Sequence, residues 1–333
     1  MIRMAKEKLK FAFYWAASCG GCEISVLDIN EKILEVVQVA DIVFWPVAMD
    51  IKYKDVENMP DKYIDVCFFN GAIRTEEQEH MAKLLRRKAK VLVAFGSCAC
   101  EGCIPGLANL HNKKEIFQRI YFETSSTTNP QGVSPKTKVE VEEGVLTLPE
   151  FYDTVKTLDQ TVEVDYYIPG CPPPVDLILQ AIDAIAKNQL PPKGSVLAPL
   201  KSVCDECPLN PLKKEKLQIS EIHRIYEIIP DPNKCFLEQG IICMGPATRG
   251  GCGAKCIEAV MPCTGCGGPC PNAPEQGAAM ISALASLLGL EEEKEKYTEA
   301  DVEKLIAQIK DPVGTFYMYS LSSSILRRRV MKK

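Results

Sequence analysis

Histidine is scarce in this 333-residue chain: His80, His111 and His223 are all it has. That scarcity argues against mixed Cys/His zinc sites, and each lone histidine reads as a surface or packed residue. Long apolar runs are missing too. The longest, AAMISALASLLGL at 278–290, has 13 residues, too few to span a membrane, and reads as a buried helix. Excess positive charge is absent: the formal net charge is −5, and the basic tail RRRVMKK stands alone. A nucleic-acid binder is therefore not expected. The opening MIRMAKEKLK is basic, but no small-residue cleavage site or twin-arginine pair accompanies it. The expected location is the cytoplasm. Hydrophobic residues at 46% and charged residues at 25% fit a soluble globular protein of one large domain or two ordinary ones.

Cysteine is what the chain has in excess, with sixteen. A reducing compartment keeps thiols from pairing, so ligation of metal is the expected use rather than disulfides. Seven cysteines are scattered between residues 19 and 171, and nine crowd into 204–270.

The first part alternates apolar strands with amphipathic helices. KFAFYWA (10–16), ADIVFWPV (40–47), YIDVCFFNGAI (63–73), AKVLVAFGSCA (89–99) and VEVDYYIPGCPP (162–173) read as strands. Helices are expected over EISVLDINEKILEVV, over TEEQEHMAKLLRRKA with a threonine cap, and over PVDLILQAIDAIAKNQ. Near-continuous apolar strands alternating with helices predict an α/β fold: a flavodoxin-like parallel sheet over residues 1–195. Residues 111–160, with the hairpin KVEVEEGVLTLP, look like a surface insertion. From 196 to 333 the chain is rich in Cys, Gly and Pro, and metal centres would have to organise it.

Cys19 and Cys22 follow the first strand, Cys98 the fourth and Cys171 the fifth. All four stand just beyond carboxyl ends of parallel strands, the edge where open α/β sheets hold ligands. Four thiols converging there make a complete metal shell, and glycines 20, 21, 96 and 170 let backbone approach it. The second part offers Cys204 and Cys207 as C-x2-C, then Cys235, Cys243, Cys252 and Cys256, then Cys263 and Cys266 as C-x2-C, then Cys270. That is enough for two further tetrathiolate sites with one cysteine over. Zinc and iron–sulfur clusters both accept four thiolates; three such sites and no histidine favour iron–sulfur. The ferredoxin run C-x2-C-x2-C-x3-C-P is absent. Cys67 lies within a strand and reads as a small buried hydrophobe.

SCGGCE, GSCA and PGCPPP, followed by CDECP, CFLEQGIICMGPATRGGC and PCTGCGGPC, resemble in order the motifs of nickel–iron hydrogenase small subunits. The chain is most similar to the cytoplasmic, coenzyme-F420-non-reducing (viologen-reducing) group of methanogens. The resemblance implies three 4Fe–4S clusters: a proximal one on Cys19, Cys22, Cys98 and Cys171, a medial one on Cys252, Cys256, Cys263 and Cys266, and a distal one on Cys204, Cys207, Cys235 and Cys243. Cys67, Cys100, Cys103 and Cys270 are left free. Glu23 either caps the helix it begins or serves proton movement at the subunit boundary. The nickel–iron site is expected on a partner large subunit, because RxCxxC and DPCxxC contexts are missing here. Electrons would leave toward an iron–sulfur subunit and heterodisulfide reductase. The competing readings are a sulfur-reducing hydrogenase of the same group, the related quinone-site subunit of complex I, and a structural zinc scaffold.

Overall fold

A sheet built from near-continuous apolar strands needs cover on both faces. In the computed structural model, which describes residues 7–288 and 298–328, side chains alternate strictly between two cores. Ala12, Tyr14, Cys67, Phe69, Leu92 and Ala94 face one. Phe11, Phe13, Val66, Phe68, Val93 and Phe95 face the other. The strands are β1 (Leu9–Trp15), β2 (Ala40–Phe44), β3 (Ile64–Asn70), β4 (Ala89–Phe95), β5 (Tyr166–Ile168) and the two-residue β6 (Ser195–Val196). Their order is β6-β5-β4-β3-β1-β2, and every pair is parallel. This is the flavodoxin-like order with one more strand, and it places the switch point between β1 and β3.

Helices α1 (Gly21–Leu27), α2 (Ile33–Val39) and α5 (Val175–Ala186) cover the second core through Val26, Val36, Ile178, Ile182 and Ile185. Helix α3 (Glu76–Lys88) covers the first through Met81, Leu84 and Leu85. Thr75 caps α3 as expected, with Gln78 completing the capping box. A short helix, α4 (Ser97–Glu101), follows β4 directly.

Several expected boundaries are corrected. The helix expected at 23–37 is two, because the chain turns at Asn30, which has φ +55°. The fourth strand ends at Phe95 rather than residue 99, since Gly96 at φ +82° leaves the extended region. The fifth strand keeps three residues, and the third stops at Asn70 before the Gly71 turn. The insertion is less separate than its composition suggested: Phe151–Lys156 pairs antiparallel with Ile73–Thr75. Its hairpin forms over Lys138–Val141 and Gly144–Thr147. The apolar run at 278–290 gives helix α6 (Gln276–Leu287); its last two residues, the first six residues of the chain and the RVMKK end of the basic tail lie outside the described residues.

Between residues 197 and 275 no helix exceeds four residues. This stretch packs a third core around Val203, Phe236, Ile257, Met280 and Tyr317. The chain then returns to the sheet: Cys103 N–H donates to Tyr319 O at 3.0 Å, and Asn109 donates to Ser322 Oγ at 3.1 Å and to Arg327 O at 2.9 Å.

Asp165 fastens the sheet at β4. It is 1% exposed, takes an ion pair from Arg86 and one from Lys193 at 2.6 Å, and accepts from Leu92 N–H at 2.8 Å. Burial pushes its carboxyl up, but these three donors outweigh burial and hold it below the ordinary value. A carboxyl lowered on folding stabilises fully above its unfolded pKa, near 4, and that share is lost as pH falls through the folded value. Asp165→Asn should cost about 3 kcal/mol, because removing one member leaves buried donors uncompensated. A lowered melting temperature at pH 7 that converges with the parent at acid pH is the expected result. Identical melting at pH 7 would mark the contact as a surface pair.

Candidate metal centres

The first centre forms at the switch-point edge. The chain leaves β1, forms a bridge between Ala17 and Ala72, and turns at Gly20 (φ +81°) into α1. A Cβ at Gly20 would stand 2.9 Å from the Trp15 ring, so the turn needs glycine. Beyond β4, a Cβ on Gly96 would stand 2.3 Å from Cys22 Sγ. The loops after β4 and β5 are tied together, with Gly96 N–H donating to Ile168 O and Ser97 N–H to Gly170 O, both at 2.8 Å. These ties bring the Cys98 and Cys171 loops to Cys22. Cys22 and Cys98 are buried, Cys171 is half-buried and Cys19 is exposed.

The thiols disturb one another. Burial pushes Cys22 up, and Cys171, Cys19, Glu23 and Cys103 push it further. Contact with Cys103 raises Cys171, ahead of burial. The thiolate is the metal-binding form, so such a group settles as thiolates only around a cationic core.

Cys103, expected to be free, belongs to this neighbourhood. Its Sγ lies 3.7 Å from Cys171 Sγ, a contact that pulls its thiol down, while Cys98 and burial outweigh it and push the thiol up. Gly102 (φ +92°) and Cys103 itself (φ +47°) fold the chain back toward Cys98. Its position five residues after Cys98, preceded by glycine, was the available signal. Cys100 points elsewhere, with its thiol directed at Ala94 O (3.4 Å) and Ile168 O (3.7 Å) inside the sheet. Cys67 is fully buried in β3.

Glu23 does not cap α1. The cap is Gly20, without a side-chain hydrogen bond. The Glu23 carboxylate instead accepts a hydrogen bond from Trp45 Nε1 and one of 3.4 Å from Asn70. Burial raises its pKa, against the pull of both donors.

The other two centres are cavities. Cys252, Cys256, Cys263 and Cys266 line one of about 60 Å³, shared with Gly170 and Pro172. Cys204, Cys207, Cys235 and Cys243 line another of about 230 Å³, walled mostly by apolar side chains such as Leu209 and Phe236, with Asn210 and Lys213 among them. Burial first, then its three companion cysteines, push Cys204 up to about 12. Burial likewise raises Cys266 to about 11, although the Cys171 N–H pulls it down. Cys270 is outside both linings; its N–H donates to Ala247 O at 3.0 Å. Among the described residues, no three His, Cys, Asp or Glu side chains close on a point that would hold a single metal ion.

The three centres are contiguous. Ser97 Oγ donates to Cys266 O at 2.6 Å and accepts from Gly170 N–H at 3.1 Å, joining the first to the second. Cys263 N–H donates to Cys243 Sγ at 3.3 Å, joining the second to the third, and Val203 and Ile257 wall both cavities. The strand end and helix that flank exposed Cys19 carry exposed apolar side chains: Trp15, Ile24 and Leu27 are 41–57% exposed. No helix among the described residues is long and apolar enough to cross a membrane.

The profile of the family described as NADH ubiquinone oxidoreductase, 20 Kd subunit, matches residues 19–185. The iron-sulfur subunit of the F420-non-reducing hydrogenase of Archaeoglobus profundus is 42% identical over 327 residues, covering 97% of this chain and 99% of that one. A subunit of the F420-non-reducing hydrogenase of Methanothermobacter marburgensis is 37% identical over 328 residues, covering 98% and 99%. Among solved structures, an NAD+-reducing NiFe hydrogenase in the H2-reduced state is similar with a TM-score of 0.48 and 25% identity, over 56% of this chain and 94% of that chain.

Proposed function

The chain belongs to the family of nickel–iron hydrogenase small subunits, and from that membership we propose that it carries electrons from H2 oxidation in its large subunit through three 4Fe–4S clusters. The observation that supports this reading best is the continuous row of three cysteine sets, each touching the next through a named hydrogen bond. The proposed ligands are Cys19, Cys22, Cys98 and Cys171 for the proximal cluster, then Cys252, Cys256, Cys263 and Cys266, then Cys204, Cys207, Cys235 and Cys243. The all-thiol donor sets, the two four-cysteine cavities and the mutually raised thiols fit such clusters. Bound there, the clusters supply one-electron redox chemistry.

The protein's own residues do the rest. Gly96 and Gly20 let backbone come close to the first set. Ser97 holds the first two loops in register, so their separation is fixed by the fold. The aliphatic walls of the third set exclude water from it, which tunes potential. The apolar ground around Cys19 faces the large subunit. Glu23, buried beside Cys22, passes protons at that boundary. The chain works as two units, 1–195 and 196–333, in the cytoplasm. Electrons leave the third set for an iron–sulfur subunit and heterodisulfide reductase.

One substitution in the last set tests this order. Cys207→Ser, in the assembled complex, should remove or convert one cluster of three, up to about four irons. Reduction of the other two by H2 should persist, while electron delivery to the iron–sulfur acceptor falls. Loss of all H2-dependent reduction would place this set before the others. Assays of the parent complex with polysulfide and with heterodisulfide separate the two acceptor classes.

A further inference from the structure

The insertion hairpin has a charge pattern that the electron-transfer reading does not use. Its strands pair in the register Lys138↔Thr147, Val139↔Leu146, Glu140↔Val145 and Val141↔Gly144. Every residue of both strands is exposed, and among the described residues this sheet has just these two strands. An isolated two-stranded hairpin is marginal in water, and an open edge is a template for another strand. Leu148 N–H donates to Thr137 O at 3.0 Å, so Thr137 turns its peptide groups inward to the hairpin. Alternation then turns the peptide groups of Lys138 and Glu140 outward, to the open edge. Side chains alternate as well. Val139, Val141, Leu146 and Leu148 share an apolar face, 38–62% exposed. Lys138 and Glu140 share the other, their charges 3.7 Å apart.

We propose that this edge pairs antiparallel with the same edge of a second copy of this chain, about a two-fold axis through Val139. Val139 then faces Val139 of the second copy. Lys138 faces Glu140, and Glu140 faces Lys138. Each charge meets its opposite. Moving the axis to Lys138 or to Glu140 puts like charges opposite each other, which destabilises the pair. The outward peptide groups are compatible with this centre, because they make Lys138 and Glu140 of the two copies hydrogen-bonded pairs, and they exclude an axis lying between two residues; the charges choose among the rest. A strand whose charged face reads Lys then Glu is complementary to itself reversed, so an isologous contact satisfies it without a special partner. The joined sheet has four strands, past the size at which a sheet with an apolar face becomes stable.

Sedimentation of the assembled hydrogenase complex over a range of concentrations tests this, with cross-linking to fix the register. Val139→Cys, treated anaerobically with a short bismaleimide, should link two copies of this chain beyond the background of the parent complex. Val141→Cys should not, because its mate lies four residues along, about 13 Å away. Lys138→Glu should weaken self-association about tenfold, and the swap Lys138→Glu with Glu140→Lys should restore it. All four positions are exposed, so folding is preserved. Equal cross-linking at 139 and 141, linking of Val139→Cys only to another subunit, or association indifferent to Lys138→Glu would each overturn the proposal.

Discussion

Replacing Cys22 by serine cuts H2-driven viologen reduction by about a hundredfold or more. Disturbing groups that merely orient a metal ligand already costs 10–100-fold, and Cys22 is proposed as a ligand itself. It stands at the centre of the first set, buried, with Cys19, Cys171 and Cys103 around it. Every electron leaving the large subunit would enter here, so no second route compensates. Hydrogen–deuterium exchange in the large subunit needs no electron exit and should survive. Gly96→Ala should reproduce the loss without touching a ligand. Its Cβ would press to 2.3 Å from Cys22 Sγ, at a backbone φ of +82° that side chains rarely adopt. The measurement is the viologen rate beside the exchange rate in the same preparation. Loss of both would mean that the variants disrupt assembly, and retention of both would remove Cys22 from the path.

Omitting the large subunit leaves this chain insoluble or short of clusters. Trp15, Ile24 and Leu27 present apolar side chains to water on the strand end and helix flanking Cys19, a patch of the kind that marks a subunit contact. With the patch uncovered, exposed Cys19 is open to oxidant and the apolar surface to aggregation. Co-expression should restore solubility and iron together. A fully loaded, monodisperse subunit purified alone would show that the patch is not an obligate interface.

Local chemistry made much of the fold legible. Apolar runs of strand length, the Thr75 cap and glycines at strand ends all act within a few residues, and each became the expected element. The sheet-edge position of Cys19, Cys22, Cys98 and Cys171 followed from the same patterns. What escaped depended on distant partners. Phe151–Lys156 is a strand because Ile73–Thr75 lies beside it, and no local signal in a polar insertion reports that pairing. Glu23 reads as a helix cap or a proton-path residue from sequence, and the cap falls away once Trp45 and Asn70, from the ends of other strands, are seen to hold it. Cys103 stands five residues after Cys98, and the resemblance left it free. Two residues at positive φ cancel that separation, and backbone reversals of this kind by a cysteine are seldom visible in sequence.

The account rests on three four-iron clusters in a row. Iron, acid-labile sulfide and zinc counted together on anaerobically purified complex, with the large subunit's own metals subtracted, test it most directly. The expected result is about twelve irons and twelve sulfides per copy of this chain, with no stoichiometric zinc. About eight of each would remove one of the three sets, and zinc without sulfide would contradict electron transfer through this chain altogether.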